Sequence, residues 1–180
     1  MNDKSGKTLL HTRQVTCRGY QLADGRWEII GQMRDLKNFP MENTDRGGII
    51  PVGEPLHDIS LTLIIDRSLT IHRARAEIDA APFSCCPQIT DAFVALEGMS
   101  LASGFRRRVK DLLGGTKGCT HLLELLGPIA TTAYQTLWQS KGGYDSESSE
   151  IADRLIDSCH TFARDGAVAR VFSEVGKGKR

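Results

Sequence analysis

Two stretches of the chain alternate apolar and polar residues with a period of two, a pattern that half-buried strands satisfy and helices do not. Ile59, Leu61, Leu63 and Ile65 interleave with Ser60, Thr62 and Ile64. The Asp66-Arg67-Ser68 stretch turns the chain, and residues 71–79 then set Ala74, Ala76 and Ile78 opposite Arg73, Arg75 and Glu77. Earlier, Arg13 to Tyr20 carries Val15 and Cys17 in alternation, Ala23-Asp24-Gly25-Arg26 supplies Asp-Gly turn chemistry, and Trp27, Ile29 and Met33 continue the period. Two hairpins follow, the one over residues 59–79 with one buried and one wet face. Between them, Lys37 to Pro55 shows neither period and reads as a long loop.

The second half changes period. Ile89, Phe93 and Leu96 fall at helical spacing, with Pro87 at a first helical position, Cys86 at or next to the N-cap and Gly98 at the end. A second helix is expected over Leu101 to Leu113, ending at Gly114-Gly115. A longer one starts near Thr120, where Leu122, Leu123, Leu126, Ile129, Ala130, Ala133 and Leu137 form an apolar stripe that contains Pro128. The polar run Ser140 to Glu150 reads as a linker, and Ile151 to Ala163 as a last amphipathic helix before a frayed basic terminus. The expected architecture is α+β: an antiparallel sheet of about four or more strands packed against three to four helices. A chain of 180 residues suits one domain, with an N-terminal hairpin over 13–35 and a C-terminal helix over 151–163.

Charge narrows the function classes. Twenty-three Lys and Arg balance 22 Asp and Glu, so the basic excess of a dedicated nucleic-acid binder is absent. No apolar run approaches the ~20 residues of a membrane span, and the start, MNDKSGKTLL, lacks signal-peptide character. A cytoplasmic location and a small-molecule substrate are the expectation. Five cysteines are an odd number, which argues for reduced thiols.

Three places carry candidate chemistry. His57-Asp58, where the loop enters a strand, offers a general base with its orienter or two metal ligands; the structural alternative is a turn cap beside an exposed histidine. Cys85-Cys86 precedes a helix whose N-terminal field would favour a thiolate, although free cysteines commonly pack as small hydrophobes. Gly114-Gly115-Thr116-Lys117-Gly118-Cys119-Thr120-His121 delivers Cys119 and His121 to a helix start through a glycine-rich loop that lacks Walker A spacing. By contrast, Arg106-Arg107-Arg108 with Lys110 reads as a solvated helix face, and Cys17 and Cys159 read as structural.

Two resemblances rest on these residues. The segments Arg13-Gln14-Val15-Thr16-Cys17-Arg18-Gly19-Tyr20, Asp24-Gly25-Arg26-Trp27-Glu28-Ile29, Leu56-His57-Asp58 and Gly118-Cys119-Thr120-His121-Leu122 resemble the bacterial DUF2889 family. That resemblance implies a small enzyme or accessory protein in the breakdown of ferulate and related lignin-derived aromatics. More distantly, residues 56–133 are similar to the IscU and NifU N-terminal scaffold of iron-sulfur assembly, with Asp58, Cys85 or Cys86, and Cys119 at its three ligand loops. The similarity implies an IscU-like core over about 56–139. The first-loop cysteine and the Gly-Cys-Gly of the second loop are missing.

Together these readings predict a small enzyme acting on an aromatic, phenylpropanoid-type, or acyl compound, a lyase or hydrolase. Cys119 would be nucleophile or metal ligand, His121 or His57 would transfer a proton and Asp58 would orient the histidine. The metal-ligand set implied by the scaffold similarity is Asp58, Cys85, Cys86, Cys119 and His121, for zinc or iron. The competing prediction is a metal or iron-sulfur carrier without turnover.

Overall fold

The structure is a computed structural model that describes residues 6–102, 104–138 and 155–171. Strands β1 (His11–Gln21), β2 (Trp27–Lys37), β5 (Pro55–Ile65) and β6 (Ile71–Ala80) form one antiparallel sheet in the order β1-β2-β5-β6. The α+β class and both expected hairpins are observed. The N-terminal hairpin is half of this sheet, because β2 pairs along its length with β5.

Alternation dictates which face is covered. Trp27, Ile29 and Met33 of β2 and Ile59, Leu61, Leu63 and Ile65 of β5 are buried, while the residues between them are partly exposed. On β6 the buried residues are Ile71 and Ala74, three apart; a bulge in the β5–β6 register between Ile64 and Ile65 turns both to the same face.

Over this face runs α2 (Thr120–Leu137), whose buried Leu122, Leu125, Leu126, Ile129 and Ala133 recur every three or four residues. The closest approach is at Gly31, where an added Cβ would lie 2.6 Å from Ile129 Cγ1. A side chain there has no room, so glycine sets the sheet-to-helix spacing. Helix α1 (Phe105–Leu113) starts later than expected, after Gly104 at φ 81°, and buries Phe105, Val109 and Leu113.

Three expectations meet corrections. The segment after Pro82 is a 3₁₀ helix, Cys86–Leu96, rather than an α-helix. Lys37 to Pro55 is not structureless: it forms a two-stranded sheet of β3 (Met41–Asn43) and β4 (Gly48–Ile50) around a 3₁₀ turn. The Asn43 side chain accepts the Arg46 N–H at that turn, Arg46 bonds the Pro55 carbonyl at 2.7 Å and pairs with Glu54, and Asp45 accepts the Ser84 N–H. These polar ties replace the missing hydrophobic period. The chain forms two compact units, Met1–Ala133 and Tyr134–Arg180. Finally, of the expected helix over 151–163, residues 151–154 lie outside the described residues, Leu155 is helical, and the residues after it are turn and 3₁₀ structure, with a 3₁₀ turn at His160–Phe162. Asp157 takes φ 61° and its carboxylate accepts the Arg164 N–H, which closes a turn in place of a helix. Residues 139–154 and the basic terminus lie outside the described residues. Among the described residues, no helix is long and apolar enough to cross a membrane.

The Gly31 contact gives a direct test of the packing. Gly31→Ala is expected to lower unfolding free energy by about 1–3 kcal/mol through overpacking against buried Ile129, measured by urea denaturation. The loss should shrink in the Gly31→Ala, Ile129→Val double variant.

Candidate functional site

One rung of the sheet is polar. Arg13 of β1 lies opposite Asp35 of β2, and Asp35 lies opposite His57 of β5. The same parity that buries Met33 and Ile59 one rung away turns Asp35 and His57 to the covered face. Asp35 is the one buried charged residue among the described residues, with 1% of its surface exposed.

Such a carboxylate is stable only if its oxygens are occupied. Arg13 supplies a fork: Nε donates to Oδ1 and Nη2 to Oδ2, both at 2.8 Å. His57 Nδ1 lies 2.9 Å from Oδ2, and His11 Nε2 is 3.4 Å from Oδ1. Burial works against the Asp35 charge, but the hydrogen bonds from Arg13 and His57 outweigh it and hold the carboxyl below its ordinary value of 3.8. Glu124 on α2 takes the remaining Arg13 donor, Nη1, at 2.5 Å and ties the helix to the rung.

His57 is held neutral. Burial, then the nearby His121, lowers its pKa from 6.5 despite the pull of Asp35. An ionised acceptor at Nδ1 requires that nitrogen to carry the proton, so Nε2 keeps its lone pair. The His57 and His121 rings lie 4.0 Å apart between centroids, tilted by 36°.

The glycine-rich loop brings the second half of the site. At Gly118 an added Cβ would fall 2.3 Å from the Leu113 carbonyl oxygen, so glycine lets the loop fold back on the end of α1. Cys119 then caps α2, its carbonyl accepting the Leu123 N–H at 2.9 Å. Two residues on, His121 Nδ1 stands 4.0 Å from Cys119 Sγ.

The residues singled out by sequence separate into two groups. His57, His121 and Cys119 come together. Asp58 does not join them: adjacent strand residues face opposite ways, and Asp58 lies on the other face of the sheet, accepting from Gln32 Nε2 at 2.9 Å and lying 3.5 Å from Arg34 Nε. Asp35 occupies the place assigned to it. Burial, reinforced by Cys85 and Cys119 and opposed by a backbone hydrogen bond from Phe83, raises the Cys86 thiol pKa where a helix N-terminus was expected to lower it. The Cys86 N–H itself is spent on the Phe83 carbonyl and Pro87 has none to offer. Cys85 is exposed. The signal for Asp35 was present in β2, where it continues the inward series of Trp27, Ile29, Gly31 and Met33.

Residues 11–135 match the family described as protein of unknown function (DUF2889). The chain belongs to the DUF2889 family. No curated protein and no solved structure matches it. The family match covers both halves of the site, from His11 and Arg13 to Cys119, His121 and Glu124.

Asp35, His57 and His121 also offer ligand atoms that all lie within 4.8 Å of one another, a spacing that can hold a metal ion. Both Asp35 oxygens, however, already face the Arg13 guanidinium at 2.8 Å, and a cation on that carboxylate would have to displace the fork. The carboxylate so held faces His57 Nδ1 at 2.9 Å.

Removing the fork leaves a buried acceptor short of its donors. Arg13→Met is expected to cost about 1–3 kcal/mol of stability, read by urea denaturation at neutral pH. Acid should weaken the native protein through His57 first. Its folded pKa lies below 6.5, so its contribution is complete above that value and is lost as pH falls toward the folded pKa, where the unfolded chain binds the extra proton. Asp35 adds a loss of the same sign below its ordinary 3.8. The urea midpoint measured against pH should fall below about pH 6.5, and His57→Gln should flatten that part of the curve.

Proposed function

We propose that this protein is an enzyme that cleaves a small acyl compound, aromatic acyl groups included, with Cys119 as nucleophile and the two histidines as proton-transfer groups. The observation that carries the reading is the contact of His57 Nδ1 with a buried, Arg13-held carboxylate, which leaves the lone pair on Nε2, beside a second histidine in contact with a thiol. A nucleophile, a base within reach and a third group that orients a base are the parts covalent catalysis requires.

The step is written as acyl transfer. Cys119 Sγ attacks the acyl carbon as its proton passes to His121 Nδ1, and the bond to the leaving group breaks as that group takes the proton. A water molecule, deprotonated by His57 Nε2, then attacks the acyl–sulfur bond and releases the acid; the proton returns to Cys119 sulfur. Asp35 touches no reacting atom and is a positioning residue, stabilising the His57 imidazolium that forms in the second step. Arg13 keeps Asp35 ionised. Lyase cleavage of an aromatic compound would use the same base without the thiol.

Selective alkylation tests the nucleophile without a known substrate. Iodoacetamide labelling, with peptides resolved by mass spectrometry, is expected to modify half-buried Cys119 faster than the exposed Cys159, and His121→Ala should slow it by about tenfold or more. Cys119 no more reactive than Cys159, or unaffected by His121→Ala, would remove the nucleophile from the proposal. With a panel of acyl esters and thioesters, Asp35→Asn should lower turnover by a factor of about 10²–10⁴.

A further inference from the structure

Outside this cluster, a hollow of about 460 Å³ lies between α1 and the first turns of α2. Its volume falls in the range of sites for small organic ligands. Phe105, Val109 and Leu126, all buried, form its apolar floor. Arg106 and Lys110, one helical turn apart on α1, stand on its rim. Among the described residues neither side chain makes an ion pair or hydrogen bond, in contrast to Arg13, Arg26, Arg34 and Arg46, each of which has a carboxylate partner.

Arg106 also leans over α2 at Gly127. Its Nη2 would lie 3.3 Å from a Cβ added at Gly127, a lining residue. The guanidinium thus sits against bare helix backbone at the mouth of an apolar floor. Two unpaired cations beside buried apolar side chains complement a ligand that is anionic at one end and apolar along its body.

We infer that this hollow binds an organic carboxylate with an apolar tail, its carboxylate between Arg106 and Lys110 and its tail over Phe105, Val109 and Leu126. The inference stands apart from the acyl-cleavage reading, since none of these residues belongs to the Asp35 cluster. The two places meet only at Glu124, which lines the hollow and also holds Arg13.

Calorimetric titration of the full chain with octanoate, octan-1-ol and acetate separates the two requirements. Octanoate is expected to bind at least tenfold more tightly than either of the others, octan-1-ol lacking the charge and acetate the tail. The Arg106→Gln, Lys110→Gln double variant should weaken octanoate by tenfold or more with an unchanged melting temperature. Gly127→Ala, which favours the helix but crowds Arg106, should weaken it several-fold without lowering the melting temperature. Absence of octanoate binding to the parent protein, equal binding of octan-1-ol, or undiminished binding by the double variant would overturn the inference. Loss of Cys119 reactivity in the alkylation experiment would leave it standing.

Discussion

A carboxylate withdrawn from water needs donors from more than one direction, and Asp35 obtains them from elements far apart in the chain. Arg13 arrives from β1 and His57 from β5, both in register on the same rung. Glu124 then fastens α2 to that rung through Arg13. If any strand slipped by one residue, every side chain on it would change faces, and the acid would lose its fork or its histidine. The polar rung therefore acts as a register lock on a sheet whose neighbouring rungs are Met33 and Ile59, apolar and exchangeable in kind.

The same interaction underlies the proposed chemistry. An ionised Asp35 determines where His57 carries its proton, and thereby which ring nitrogen is left basic. Burial and His121 keep that ring uncharged. From there the arrangement continues by contact to His121 and, at 4.0 Å, to Cys119. Structure and the proposed reactivity share one device: the bonds that satisfy a buried charge are the bonds that orient His57.

Much of this is legible in the sequence, for reasons that differ from residue to residue. Both hairpins and the stripe of α2 are periodic, so their faces can be read directly. Cys119 and His121 stand out because a glycine-rich loop leads into a helix start. Asp58 adjoins His57 in sequence but not in the site: counting by two from Ile59 puts His57 inward and Asp58 outward. The same count along β2, from Trp27 through Met33, puts Asp35 inward, where an acid is conspicuous. Arg13, His11 and Glu124 had no such signal, since their meeting depends on strand pairing and on the crossing point of α2. The β3–β4 sheet was hidden because side-chain hydrogen bonds from Asn43, Arg46 and Asp45 hold it rather than an apolar period.

The central claim is that Asp35 fixes the His57 proton on Nδ1. Long-range ¹H–¹⁵N correlation spectra of the imidazole side chains, assigned with a His57→Gln variant, report the tautomer directly. At neutral pH the account expects an uncharged His57 with its proton on Nδ1 and an unprotonated Nε2, a state abolished in Asp35→Asn. A His57 that is charged at neutral pH, or that carries its proton on Nε2, would contradict it.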